Sequence, residues 1–433
     1  MRMKKIMSIL LALLLAAMVI VPLVSADNSN SASTQVMSKG YAISENFIPI
    51  ETARSHATIK IAESVETGML DDVWSEATIS QEPLIIYDID GNPLFYQFTL
   101  TKDGKKIGEI LSSGNKVAGI SIKQFSEPGA YDLASRADLA KKITKELYPE
   151  FSVKSTRIVC YNYPAMGVMV NIINPQTHEE KSYLYNADSL EIISMEKTTR
   201  DNGLSVRSYY ADIPESAYQE RIANWEREDA YLSKIADSAR EKSISIRQEI
   251  SSQKSTISMS TAMYPSGCSD TLCEMPKGFP TVDQGSNGWC QAATAWVISK
   301  YYHPSMTRTL TNVASTMQAD PVTGATWSNE LNYYTNSYQS GGASGGLGKT
   351  NSYYRTTNPS LTYEIIRTEI LNQHPLKVGY NGHSRACIGY SRNPGGDTYY
   401  KFSNSQLGGY LQWEAAPNPY GSITGYQTYI IVN

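Results

Sequence analysis

Between residues 83 and 125 the chain is cut into four short apolar runs by three glycine turns, and that punctuation demands an antiparallel sheet. The runs are Pro83–Tyr87, Leu94–Thr101, Lys106–Ser112 and Val117–Phe125. The turns between them are Asp90-Gly91-Asn92, Lys102-Asp103-Gly104 and Ser113-Gly114-Asn115. Aspartate or asparagine beside glycine accepts the positive φ of a tight hairpin, and gaps this short leave no room for a crossover helix. A helical pattern over Thr52–Val65 precedes them. The same order then returns. A helix over Ala134–Leu147 is followed by strands at Val153–Tyr161, Gly167–Ile173, Lys181–Tyr185 and Leu190–Met195, with Asn174-Pro175 and Asn186-Ala187-Asp188 turns. A helix and a four-stranded meander, twice over, predict an internal repeat of α+β units, each with its helix laid across a small sheet.

The chain has 433 residues, 41% hydrophobic and 18% charged, enough apolar material for several cores. Net charge is −4 and no Lys/Arg block occurs after the first five residues, so nucleic acid is not an expected partner. Those first residues matter in another way. Arg2, Lys4 and Lys5 precede an apolar run, Ile6–Val24, that ends in Val24-Ser25-Ala26. Charged, apolar and small-residue regions in that order predict a signal peptide over residues 1–26, and hence a secreted, extracellular product with no stable membrane anchor after its removal.

Charge divides the remainder. Residues 27–267 carry 25 basic and 33 acidic side chains, whereas residues 268–433 carry 10 and 9. An acidic part, net −8, therefore gives way to a nearly neutral part, net +1, rich in Gly, Ser, Asn and Tyr, which places a boundary near Cys268. The repeats occupy residues 27–200. Residues 201–267 hold a charged helical arm, Glu215–Glu249, whose Tyr218, Ile222, Trp225, Tyr231, Ile235 and Ile246 keep a loose helical spacing. Ser251–Ser266 follows without periodicity and reads as an exposed linker open to proteases.

The chemistry concentrates after that linker. In Asp283-Gln284-Gly285-Ser286-Asn287-Gly288-Trp289-Cys290-Gln291-Ala292-Ala293, turn residues pass abruptly into a helical run from Ala292 to Tyr302. A thiol at a helix N-terminus feels the positive end of the macrodipole, which favours the attacking thiolate. Gln284, six residues upstream, can fold back so that its amide and the Cys290 N–H form a two-donor oxyanion hole. A thiolate needs a base. His303 ends the Cys290 helix and His374 sits in a loop before Pro375, whereas His383 opens a strand after Gly382. His383 is therefore the expected base, and Asn404, at the end of the strand Tyr399–Ser403, the residue that orients it. Cys, His and Asn in this order form a nucleophile, base and orienter.

Three stretches carry a resemblance. Gln284-Gly285-Ser286-Asn287-Gly288-Trp289-Cys290-Gln291-Ala292 resembles the active-site loop of papain-like cysteine peptidases. Gly382-His383, with Gly389-Tyr390 beyond it, resembles that family's His strand, and Lys401-Phe402-Ser403-Asn404-Ser405 its Lys-Asn-Ser stretch. The resemblance covers about residues 268–433. It implies an α+β, papain-like catalytic domain in which a helical lobe carrying Cys290 faces a β lobe carrying His383 and Asn404, with Gln284 as the oxyanion residue. It departs from the family's pattern at Asn287, where papain has a disulfide cysteine, at Gln291, and at Gln406, where a tryptophan is expected; Trp413 is the residue left to shield Asn404. The short Cys290-to-His383 interval resembles the compact, secreted prokaryotic branch, the streptopain and staphopain type. That branch implies a zymogen in which residues 27–267 act as an inhibitory propeptide, with the helix Glu215–Glu249 across the cleft.

The activity so implied is a cysteine-type endopeptidase hydrolysing peptide or protein substrates, with its own propeptide as a partner and without a cofactor. Cell-wall amidase or acyltransferase chemistry on the same set, and a non-catalytic papain-like binding protein, remain open alternatives. Cys268 and Cys273, five apart in an exported chain, can form a small-loop disulfide, and no metal-ligand spacing supports a metal there. Cys387 and Cys160 are expected as core thiols. The loop Ser340–Gly348 is read as a flexible rim.

Overall fold

The computed structural model describes residues 39–129, 132–195, 206–241, 265, 267–276, 278–357, 363–380, 383–393, 395–406, 408–416 and 427–432. The signal-peptide run and, apart from Pro265, the linker Ser251–Ser266 lie outside the described residues, as do Asn381 and Gly382.

The protein is α+β. Helices α1 (Lys39–Ser44) and α2 (Ile50–Glu66) precede strands β1 (Thr78–Ile79), β2 (Leu84–Asp88), β3 (Pro93–Lys102), β4 (Lys105–Ser113) and β5 (Ile122–Ser126). Helix α3 (Leu133–Leu147) then leads into β6 (Ser152–Asn162), β7 (Ala165–Ile173), β8 (Glu180–Asn186) and β9 (Ile192–Ile193). The hairpin chemistry acts as expected at β3–β4, where Lys102 pairs with Lys105 and the two turn residues, Asp103 and Gly104, sit at φ +51° and +74°. One expected strand is shorter. Val117 and Ala118 form a single 3-10 turn, because the Asn115 side chain accepts from Val117 N and Gly119 takes φ +82°. The strand therefore begins only at Ile122.

After α4 (Glu215–Glu241) come β10 (Leu272–Glu274), α5 (Cys290–Tyr302), α6 (Leu310–Thr316), α7 (Trp327–Thr335), β11 (Tyr353–Thr357) and α8 (Tyr363–Leu371). The chain ends in β12 (Leu376–Tyr380), β13 (His383–Arg392), β14 (Thr398–Asn404), β15 (Tyr410–Ala415) and β16 (Gln427–Ile431). Cys268 and Cys273 are joined by a disulfide.

The strands form one continuous sheet in the order β11-β16-β12-β13-β14-β15-β5-β4-β3-β2-β6-β7-β8-β9. Its ladders are antiparallel except for the parallel pair β2–β6, which sets two meanders side by side. The compositional boundary near Cys268 does not interrupt this sheet. The β5–β15 ladder, Ser126 to Gln412, Phe125 to Trp413 and Gln124 to Glu414, carries it from the acidic part into the neutral part. A shared core backs the join: Trp74, Phe98 and Phe125 pack with Tyr399, Trp413 and Ala415. Burying large apolar side chains stabilises by about 1.5–3 kcal/mol each, so this seam is a strong one.

Helix α4 is placed differently from the expectation that it crosses the cleft. Its Leu232 and Ile235 pack on Ile59 and Ala62 of α2, and Trp225 enters the shared core. Tyr231 approaches Gly395 in the β13–β14 turn. That turn lies at the far end of β13 from His383, about 30 Å along a ten-residue strand. The helix goes there because its apolar residues match α2, whose buried face lies on that side.

Candidate active site

Cys290 is the first residue of α5, reached through a loop pinned against the turn 320–325. Gly288 N donates to Pro321 O at 2.5 Å, and a Cβ on Gly288 would lie 2.6 Å from Val322 O, so only glycine fits there. Gln291 completes the clamp, donating to Ala325 O at 3.1 Å and accepting from Ala325 N at 3.3 Å. The position that departs from the papain pattern thus closes the loop behind the thiol.

Cys290 N–H belongs to the first turn of α5, whose N–H groups have no carbonyl acceptor within the helix. The thiol itself is enclosed, with Cys290 only 6% exposed. It donates weakly to Gln291 Oε1 at 3.9 Å and accepts from the Ser384 amide, one residue beyond His383. Burial pushes the Cys290 pKa up, and the Ser384 amide and the charge of Lys377 oppose that only in part. This corrects the expectation of a depressed thiol pKa: in the closed chain desolvation outweighs the helix terminus.

His383 opens β13 and is 5% exposed. Its Nε2 lies 2.9 Å from Asn404 Oδ1, at the end of the neighbouring strand β14. Burial first and Arg385 second push the imidazole pKa down to about 4, so the ring is neutral at pH 7. Asn404, 2% exposed, also accepts from Gln406 N at 3.2 Å, and its Nδ2 faces Tyr410 OH at 3.3 Å and Gln412 Oε1 at 3.4 Å. Trp413 is not the shield expected for it. Side chains alternate along β15, so Gln412 and Glu414 face Asn404's side while Trp413 turns to the shared core.

Gln284 is brought to the same place. Its N donates to Ser405 O at 3.0 Å, its Oε1 accepts from Ser405 Oγ at 2.6 Å, and its Nε2 donates to Asn287 O at 3.0 Å. One amide hydrogen is left over for an oxyanion. The other two histidines after Cys268 stand apart: His303 caps α5 and stacks on Tyr338, and His374 pairs with Glu369 at 3.1 Å. Cys387 and Cys160 are buried, and burial pushes the Cys387 pKa up to about 12.

The residues from the acidic part come close to this site. Gln124, Ser126 and Met166 face Asn404, Tyr410 and Gln412 across a cavity of about 50 Å³. Sequence reasoning missed Gln412, Glu414 and Arg385. Polar and charged side chains alternating with Leu411, Trp413 and Ala415 were the available signal, because a strand buried on both faces does not carry them without a partner.

No protein-family model matches the chain, and a search of curated proteins finds no match.

Proposed function

We propose that this chain is the secreted precursor of a papain-like cysteine endopeptidase, with residues 27–267 as a propeptide of two helix-plus-meander repeats and residues 268–433 as the catalytic domain. One observation carries the reading. Cys290, His383 and Asn404, 93 and 21 residues apart in sequence, converge, with the imidazole on Asn404 at 2.9 Å and the thiol on the amide next to His383. In the reaction, His383 Nδ1 takes the proton from Cys290 Sγ and the thiolate attacks the peptide carbonyl. The tetrahedral oxyanion takes the Cys290 N–H and the remaining Gln284 amide hydrogen. His383 then gives its proton to the leaving amine, and water, deprotonated by the same ring, hydrolyses the thioester.

Latency fits the same geometry. A thiol with a raised pKa and a neutral imidazole do not form a thiolate–imidazolium pair, and both are buried while the acidic part shares sheet and core with the catalytic part. The test is processing of the purified precursor. Wild type should shorten from about 45 kDa to about 18 kDa, as the domain lengths require, whereas Cys290→Ala stays full length. Clearing of cell-wall suspensions without cleavage of any peptide substrate would replace this reading with a wall amidase.

A further inference from the structure

An amide side chain accepts at one end and donates at the other, so a polarity fixed at one end of a buried amide chain is fixed along all of it. Such a chain runs behind His383. It starts at Glu414, which pairs with Arg385, both under a tenth exposed, and lies 4.0 Å from Lys123. Burial alone would raise the Glu414 pKa, but Arg385 and then Lys123 hold it below the ordinary carboxylate range. An ionised carboxylate only accepts. Gln412 must therefore turn its Nε2 to Glu414 Oε2, which it meets at 3.0 Å, and this leaves Oε1 facing Asn404 Nδ2 at 3.4 Å. With its nitrogen so placed, Asn404 presents Oδ1 to His383 Nε2 at 2.9 Å. An oxygen there requires the hydrogen on Nε2.

We propose that Glu414, acting through Gln412 and Asn404, is a positioning residue that sets the tautomer of His383, holding the proton on Nε2 and leaving Nδ1 as the base. Gln412 is the link that transmits it. The Gln406 N–H, at 3.2 Å from Asn404 Oδ1, pulls in the same direction, so Gln412 supplies one of two constraints. Tyr410 OH, 3.3 Å from Nδ2, supplies none, because a hydroxyl accepts or donates as its neighbour requires. The kinetic consequence rests on the peptidase reading; the tautomer does not.

The experiment is nitrogen-15 NMR of the histidine rings at pH 7 in the full-length Cys290→Ala chain, with His383 assigned by its loss in His383→Gln. The expected spectrum is Nε2–H alone. Gln412→Met should give a mixture of tautomers, while Tyr410→Phe, which also removes a hydrogen bond from Asn404 Nδ2, should keep Nε2–H. In the otherwise wild-type enzyme, Gln412→Met should lower kcat on the order of tenfold with KM unchanged, the mark of an interaction used in the reaction rather than in binding. An Nδ1–H tautomer in the reference chain overturns the proposal even if no variant folds. So does an unmixed Nε2–H spectrum in folded Gln412→Met. A mixed spectrum in a chain that cleaves no peptide keeps the relay and removes the peptidase.

Discussion

Lys60→Met is the substitution that most directly tests how the two parts are held together. The Lys60 ammonium is fully buried and faces three carboxylates: Glu63 of α2 at 3.0 Å, Glu228 of α4 at 3.3 Å, and Asp397 of the β13–β14 turn. Tyr231 OH and Asn393 Nδ2 donate to Glu63 at 3.0 and 3.4 Å, and the Ser121 N–H and Oγ donate to Glu228, both at 2.6 Å. Removing the cation leaves three carboxylates from three elements facing one another. At an effective dielectric constant near 20, two such charges about 4 Å apart repel by about 4 kcal/mol. Breaking one partner out of a buried ion pair costs about 3–5 kcal/mol, the same order, so that is the loss expected at pH 7.

The pH dependence has a definite sign. Burial would lower the Lys60 pKa, yet Asp397, Glu63 and Glu228 together hold it well above the ordinary value. Its stabilisation is therefore fully present below the ordinary lysine value and is lost only as pH rises through the higher folded value. Glu228 is pushed up, by burial first and Asp397 second, so the folded chain takes up that proton more readily than the unfolded one as pH falls. The deficit of Lys60→Met should accordingly shrink as pH falls toward 5. The assay is urea unfolding of the full-length Cys290→Ala chain at pH 5 and pH 7.5, read by tryptophan fluorescence, since Trp225 and Trp413 lie in the shared core. Adding Asp397→Asn should recover part of the loss. A Lys60→Met chain within about 1 kcal/mol of its parent at both pH values would refute the account, because a buried cluster of carboxylates cannot lose the cation they share so cheaply.

Other outcomes follow from the site. Cys290→Ala and His383→Ala should each abolish peptide cleavage, Asn404→Ala should lose less, and Gln284→Ala should lower kcat on the order of 10²–10³; an unaltered Gln284→Ala rate would remove that side chain from the oxyanion hole. In the full-length chain, iodoacetamide should modify Cys290 slowly at pH 7 but still ahead of Cys387, whose thiol is pushed up to about 12; peptide mapping that finds Cys387 first would be decisive against the assignment. An NMR titration of the full-length Cys290→Ala chain should show His383 gaining its proton near pH 4. Because the closed form binds that proton more weakly than a solvated ring near 6.5, acid between those values should favour opening of the site. Titration of His383 near 6.5 in the full-length chain would contradict its enclosure.

The sequence alone determined what depends on neighbours along the chain. Glycine beside Asp103 dictates the β3–β4 turn, short runs between such turns make an antiparallel sheet, and the change from turn residues to an apolar run at Cys290 starts a helix. The candidate residues Cys290, His383 and Asn404 were legible for the same reason, since each sits at the end of an element that local pattern defines, and Gln284 was legible from the glycine loop that leads into Cys290. Tertiary structure decided everything that depends on which distant surfaces meet. The β5–β15 ladder could not be read from either strand, because an edge carries the same pattern whether it meets solvent or another strand. Nor could the destination of α4, whose loose apolar spacing fits several surfaces and was settled by α2 and by the carboxylates around Lys60. The same holds for the thiol. A helix N-terminus favours thiolate, but desolvation is a property of the whole enclosure, and here it is the larger effect.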